Sequence, residues 1–127
     1  MRVVVAALAL WLVCQPASAD PMTLDFSWRG AHGCITLFPN PEMRLRNIPA
    51  GAISMTLTLA QGTREMGGQN VQVPGSGVVP SGTIRTFGPC KPGLYEWTAI
   101  VKSSTGQVLS EAHQARFYPE DETAAKQ

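Results

Sequence analysis

Residues 87–97 decide the fold of this chain; they read Phe-Gly-Pro-Cys-Lys-Pro-Gly-Leu-Tyr-Glu-Trp. Two glycines and two prolines between Gly88 and Gly93 predict a tight turn of defined shape, because proline fixes φ and glycine accepts positive φ. Directly after the turn, apolar and polar residues alternate, as in a half-buried strand. The apolar face of this predicted strand consists of Tyr95, Trp97, Ala99 and Val101. We expect Trp97 to lie in the core, whereas Tyr95, at the mouth of the strand, can face either the core or a pocket.

Residues 1–19 have the composition of a secretory signal peptide. Arg2 precedes an apolar run that is too short to span a bilayer, and Ala17 and Ala19 place small residues at the −3 and −1 positions of a cleavage site. We therefore expect removal after Ala19 and a periplasmic or secreted location. A lipid anchor on Cys14 is the weaker alternative, because a valine precedes this cysteine where a small residue is normally found.

The mature chain is predicted to form one small domain over 20–118, followed by a flexible tail over 119–127. Loss of Arg2 leaves nine Lys and Arg against nine Asp and Glu. This balanced charge, without a basic run, argues against a nucleic-acid partner, and no later apolar segment is long enough to span a membrane. In an oxidising compartment, Cys34 and Cys90 are expected to form a disulfide.

Short alternating runs separated by turn residues predict an antiparallel all-β sandwich with little or no helix. The predicted strands cover 23–28, 34–38, 42–48, 53–59, 83–87, 94–101 and 107–118. Alternation is clearest over 53–59 and weakest over 107–118, where we expect a bulge or a sheet edge. Residues 60–82, rich in glycine, proline, glutamine and asparagine, are predicted to be a long loop with at most short strands at 71–73 and 78–79.

Patterns for catalysis and metal binding are missing from the sequence. It has no Gly-x-Ser-x-Gly elbow and no phosphate-binding loop, and no nucleophile motif accompanies His32 or His113. The glutamates form no recognisable acid/base pair. Two distant cysteines and two lone histidines are too few for a metal site. We therefore predict that the protein is not an enzyme and uses neither a cofactor nor a metal.

Residues 83–98, Thr-Ile-Arg-Thr-Phe-Gly-Pro-Cys-Lys-Pro-Gly-Leu-Tyr-Glu-Trp-Thr, resemble a motif of the phosphatidylethanolamine-binding protein family. The motif is the Gly-Pro-x-Pro-Pro turn and the aromatic strand that follows it, and the closest variety is the short bacterial, Raf-kinase-inhibitor-like one. Residues 26–30 with Cys34, and residues 40–51 before the long apolar strand 53–59, are similar to the opening of that family. The resemblance extends in order over nearly the whole mature chain.

The resemblance implies a β-sandwich with a small pocket for phosphate or phospholipid head groups. The residues to which it gives ligand-binding roles are Gly67, Gly68, Gly88, Pro89, Pro92 and Tyr95. The match is incomplete, since no aspartate follows Leu59, no histidine accompanies the Gly67-Gly68 pair, and Gly93 stands where the family has a histidine. These losses remove charge and hydrogen bonds that fix an anion. Arg64, Arg85 or Lys91 could supply charge to the pocket instead. The alternative is that these three side chains are solvated surface residues.

The leading hypothesis is an exported, soluble, non-enzymatic binding protein with its pocket at 88–95, flanked by residues 60–82. The rival is a structural or protein-interaction module of the cell envelope, with a degenerate pocket and a protein partner. An exposed sheet edge or apolar patch, without a concavity at the turn, would favour this rival. An immunoglobulin-like sandwich is a third reading, and it requires Cys34 and Cys90 to lie on facing strands.

Overall fold

The structure, a computed structural model, describes residues 20–120. The predicted signal peptide, Cys14 and residues 121–127 lie outside this range. The regular structure within it is entirely β, and no described helix could cross a membrane. The strands are β1 (Thr23–Phe26), β2 (Phe38–Pro39), β3 (Met43–Arg46), β4 (Ser54–Gln61), β5 (Arg64–Gln72), β6 (Val78–Val79), β7 (Arg85–Thr86), β8 (Gly93–Lys102) and β9 (Val108–Tyr118).

The strands pair antiparallel in three sheets, of which the largest has the order β5-β4-β8-β9. A three-stranded sheet has the order β1-β3-β6, and β2 pairs with β7. Alternate side chains of β4 and β8, among them the fully buried Leu57 and Trp97, lie in the core, and alternate residues of β1 and β3 are also buried. The predicted antiparallel β-sandwich is therefore confirmed, and Trp97 lies in its core as expected.

An aromatic cluster around Trp28 forms one end of the core. The ring of Trp28 lies 4.9 to 6.3 Å, between centroids, from the rings of Phe26, Phe38, Tyr95 and Tyr118. Its indole Nε1–H donates to the carbonyl oxygen of Arg116 at 3.1 Å, so the buried polar atom has a partner. The cluster joins the first strand of the domain to its last two.

The prediction of a long loop over 60–82 is wrong, because nine of these residues form β5. This strand pairs with β4 from Ser54↔Gln72 to Gln61↔Arg64, with one register irregularity between Leu59 and Ala60. Within β5 only Met66 is buried, so the period-two pattern that identifies a strand is missing from the sequence. Pairing of the backbone with β4 compensates for the low strand propensity of glycine and asparagine.

Two other predicted strands are much shorter in the structure. Cys34 has a φ of 63°, in the left-handed region, and residues 36–37 form a turn, so β2 begins only at Phe38. The strand predicted over 83–87 is reduced to β7. The short strand at 78–79 is confirmed as β6, and β9 is an edge strand with an irregular register against β8, as expected.

Glu120 anchors the C-terminal end of the described range. Its carboxylate accepts hydrogen bonds from the Ser27 hydroxyl at 2.7 Å and the Trp28 backbone N–H at 3.2 Å, and lies 3.3 Å from Arg29 and 3.8 Å from Arg116. Burial alone would raise the pKa of Glu120, but these hydrogen bonds and positive charges outweigh it and hold the pKa below its ordinary value of 4.5. The first residues of the predicted flexible tail are therefore held against the domain.

Candidate ligand-binding cleft

A cleft of about 460 Å³ opens at the turn before β8. Its walls come from three segments that are distant in sequence: residues 34–36, the β4–β5 hairpin, and the turn from Phe87 to Tyr95. The lining residues are Cys34, Ile35, Thr36, Gln61, Arg64, Met66, Phe87, Gly88, Cys90, Lys91 and Tyr95. The cleft is large enough for a small ligand or a head group.

A disulfide between Cys34 and Cys90 forms one wall of the cleft, as the sequence predicted. The two Cα atoms are 4.4 Å apart. Two backbone hydrogen bonds of 3.1 Å lie beside it, from the Cys34 N–H to the Pro89 carbonyl and from the Gly88 N–H to the Ile35 carbonyl. Both cysteines lie outside the strands, so the condition for an immunoglobulin-like sandwich is not met.

Tyr95 belongs both to the core and to the cleft. Its side chain is almost fully buried and contacts the rings of Trp28 and Tyr118, yet it also lines the cleft. The phenol O–H donates to the carbonyl oxygen of Lys91 at 2.7 Å. This hydrogen bond ties the side chain of Tyr95 to the turn and uses its one proton, so Tyr95 retains acceptor capacity only.

Two cations line the cleft without a carboxylate to neutralise them. Arg64 enters from the start of β5 and Lys91 from the turn. Neither forms an ion pair within residues 20–120, and no Asp or Glu of that range lines the cleft. Arg85 lies outside it, on the exposed side of β7. The charge of the cleft is therefore positive, and this suits an anionic ligand.

The structure brings only part of the predicted ligand-binding set to the cleft. Gly88 and Tyr95 line it, whereas Pro89, which is buried, and Pro92, which is exposed, do not. The Gly67-Gly68 pair lies in β5, where carbons added at the two Cβ positions would lie 3.1 Å from Thr86 and 2.7 Å from the carbonyl of Leu57. Close packing against the neighbouring strands therefore accounts for these glycines, and neither lines the cleft.

Sequence reasoning missed the lining residues that come from the β4–β5 hairpin and from the segment before β2. Gln61 and Met66 could have been found only by recognising the hairpin turn at Gly62, whose φ is 58°. Ile35 and Thr36 could have been predicted from the sequence, since the predicted disulfide already places the neighbours of Cys34 beside the turn.

Both histidines lie outside the cleft. His32 is exposed and lines a neighbouring surface depression. His113 lies on the open face of the large sheet, with Thr98 Oγ1 at 2.9 Å from Nδ1 and Glu111 Oε1 at 2.8 Å from Nε2. The order hydroxyl, imidazole, carboxylate is that of an activated nucleophile, but Glu111 and His113 are half exposed on an open strand surface. A second carboxylate, Glu96, approaches Nδ1 at 3.5 Å, so the two glutamates contact different ring nitrogens and do not converge on one metal position.

Comparison with solved structures shows a similar fold. The chain is similar to a crystal structure described as a putative phosphatidylethanolamine-binding protein homolog from Chlamydia trachomatis. The match has a TM-score of 0.55 and 14% sequence identity, and it covers 80% of this chain and 99% of that one. No protein-family model and no curated protein matches this chain. The chain therefore has an antiparallel β-sandwich fold of the phosphatidylethanolamine-binding-protein type.

Proposed function

We propose that this chain is an exported, non-enzymatic binding protein whose cleft holds phosphate or the anionic head group of a phospholipid. The observation that carries the proposal is the pair Arg64 and Lys91, which line a cleft without a carboxylate from the described residues. The fold neighbour, described as a homolog of phosphatidylethanolamine-binding proteins, supports the same ligand class. Export rests on the signal-peptide composition of residues 1–19.

Lys91 and Arg64 would contribute differently to anion binding. The guanidinium group of Arg64 presents a planar fork of N–H donors that can bind two phosphate oxygens at once, whereas the ammonium group of Lys91 acts as a point charge. Tyr95 could only accept a hydrogen bond from the ligand, because its own proton is directed at the carbonyl of Lys91, so its partner would be a protonated phosphate oxygen or the ammonium group of a head group. Gln61 and Thr36 supply neutral polar groups.

Titration of the oxidised protein with phosphate and with glycerophosphoethanolamine, followed by two-dimensional amide NMR, tests the proposal. We expect saturable shifts of the Gly88, Lys91 and Tyr95 amides. Arg64→Gln and Lys91→Gln should each weaken binding by about tenfold or more, since each removes a charge-assisted hydrogen bond. Arg46→Gln, on an exposed position of β3, is the matched control. An unchanged spectrum at millimolar concentrations of both ligands would refute the proposal.

The rival, a protein-interaction module, is favoured by the edge strands β5 and β9 and by exposed apolar side chains. Leu94 and Phe117 are opposite each other on β8 and β9, and each side chain is more than half exposed. However, a concavity is present at the turn, and its absence was the condition that would have favoured this rival. The cleft therefore favours the small-ligand proposal.

A further inference from the structure

Two exposed apolar side chains, Ile35 and Phe87, line the cleft, and a third, Leu37, lies two residues after Ile35 in the chain. We call these three residues the apolar rim. Their exposed fractions are 47%, 70% and 59%. Ile35 and Phe87 also line the cleft, whereas Leu37 does not. Single exposed apolar residues are common on soluble proteins, but several of them on two adjacent segments at a cleft indicate an interaction surface.

Backbone pairing fixes the members of the rim next to one another. The carbonyl of Ile35 accepts the Gly88 N–H at 3.1 Å, and Phe38 pairs with Thr86 across β2 and β7. Leu37 lies in the first segment, between Ile35 and Phe38. Phe87 lies in the facing segment, between Thr86 and Gly88. The rim is therefore one patch built from two adjacent segments.

The rim is next to the unpaired cations of the cleft. Arg64 and Lys91 share the cleft lining with Ile35 and Phe87. Apolar side chains beside unneutralised lysine and arginine have the chemistry of a surface that binds a bilayer, because the apolar groups enter the interface while the cations contact anionic head groups.

The other exposed large apolar residues of the described range, Ile53, Leu94, Val108 and Phe117, do not line the cleft. Leu94 and Phe117 lie on the outer face of the large sheet, near Arg116, which is already paired with Asp25 at 3.0 Å and with Glu120. Val108 lies at the hairpin end of β9, whereas the cleft is near the Tyr118 end of that strand. Val108 is opposite Lys102, which forms no ion pair within residues 20–120, but Val108 does not line the cleft. The rim thus differs from these residues in lying beside a cleft that two unpaired cations line.

We propose that the apolar rim docks the mouth of the cleft on a phospholipid bilayer that contains anionic lipids. The ligand of the cleft would then be the head group of a lipid still held in the membrane. This identification of the ligand rests on the proposed function, whereas docking of the rim does not need an occupied cleft.

Flotation with vesicles tests the docking. The full-length mature protein should bind vesicles of phosphatidylcholine mixed with phosphatidylglycerol, and should bind vesicles of phosphatidylcholine alone more weakly. Binding should decrease as salt screens the two cations. Leu37→Asp should reduce binding to the mixed vesicles by about tenfold or more. Val108→Asp makes the same change of charge at a position with 55% exposure and should bind as the unchanged protein does.

Phosphate titration of the same proteins separates docking from the function of the cleft. Leu37 does not line the cleft, so Leu37→Asp should keep the phosphate-induced amide shifts of the unchanged protein, which also shows that the variant is folded. Phosphate binding without vesicle binding by the unchanged protein would overturn the docking and leave the proposed function intact. Vesicle binding that Leu37→Asp and Val108→Asp lose equally would overturn it as well. Selective loss in Leu37→Asp without any phosphate shifts would support docking and count against the proposed function.

Discussion

Glu120 joins the two ends of the described chain through a single carboxylate. It binds Ser27 and Trp28 after β1, and it faces Arg116 on β9. Its pKa is lowered although burial opposes ionisation, which means that the hydrogen bonds and the arginine charges favour the charged form by more than burial disfavours it. The ionised form therefore stabilises the fold.

Replacing Glu120 with glutamine keeps the shape of the side chain and removes its charge. We expect the free energy of unfolding at neutral pH to fall by about 1–2 kcal/mol. Because the pKa is lower in the folded protein, the contribution of the charge is fully present above the ordinary value of 4.5 and is lost as the pH falls through the folded pKa. Urea unfolding should therefore show a difference between the two proteins that shrinks in acid.

Glu42→Gln is the control for this measurement. Glu42 lies 3.7 Å from Arg44 in a pair whose side chains are both more than half exposed, so its removal should change the stability little at any pH. Equal losses in the two variants, or a loss in Glu120→Gln that grows in acid, would show that the carboxylate is not the anchor.

At Gly33, the addition of a single methyl group should destabilise the fold. A Cβ atom there would lie 1.8 Å from the carbonyl oxygen of Pro89 and 2.7 Å from the hydroxyl of Tyr118. Gly33→Ala should lower the free energy of unfolding by about 2 kcal/mol and weaken any ligand that uses the Cys34 wall. Gly75→Ala is the matched control, because nothing lies within 4 Å of the added carbon. The measurement is thermal unfolding of the two variants. Similar melting temperatures for Gly33→Ala and Gly75→Ala would contradict the close packing at Gly33.

At the scale of elements, the segment before β2 depends on its disulfide more than on a sheet. Beyond the bonds beside Cys34, it has the Gly33 N–H donating to the Tyr118 hydroxyl at 2.9 Å. The disulfide connects residues separated by 56 positions, which corresponds to about 4 kcal/mol in the chain-entropy model. That is a large share of the stability of a small domain.

Reduction should therefore destabilise the domain strongly. In urea, dithiothreitol should shift the unfolding midpoint of the unchanged protein to a much lower concentration, and a Cys34→Ala/Cys90→Ala double variant should match the reduced protein. The reductant should have no effect on the double variant, which makes the variant its own control. An unchanged midpoint after complete reduction would mean that the three hydrogen bonds of this segment hold it without the disulfide.

β5 shows why one element could not be read from the sequence. Prediction of strands relies on alternating burial, and β5 is a sheet edge with Met66 as its one buried side chain. β8, in contrast, has a neighbour on each side in the sheet and buries Tyr95, Trp97, Ala99 and Val101, so it was predicted within one residue of its bounds. β5 forms because its partner β4 presents a row of backbone N–H and C=O groups with which it can pair.

At the scale of the whole molecule, the fold was predictable and the site only in part. Alternation along β1, β4 and β8 is a local property, and it indicated a sandwich. The turn wall of the cleft, with Gly88 and Tyr95, was located from its own residues. The wall that contains Gln61 and Arg64 follows from the β4–β5 hairpin, which the sequence does not reveal because burial does not alternate along β5.

The four-stranded sheet should resist local unfolding more strongly than the two-stranded sheet of β2 and β7. β4 and β8 each have a partner on both sides, whereas β2 and β7 share two residue pairs. Amide hydrogen exchange should therefore be slowest at the centre of β4 and β8, near Leu57 and Ala99, and fast at Phe38 and Thr86. Equal protection of the two sheets would show that the small sheet opens only with the whole domain.

The separation of the cleft walls along the chain has a consequence for when the cleft forms during folding. The walls at residues 34–36, 61–66 and 87–95 must all be placed before the cavity exists. Contacts between segments so far apart form late, because the chain must first give up the entropy of the intervening loops. A partly folded intermediate that lacks one wall would not bind a ligand that contacts all three walls. Any ligand that needs all three walls would therefore select finished molecules and protect them from unfolding by mass action.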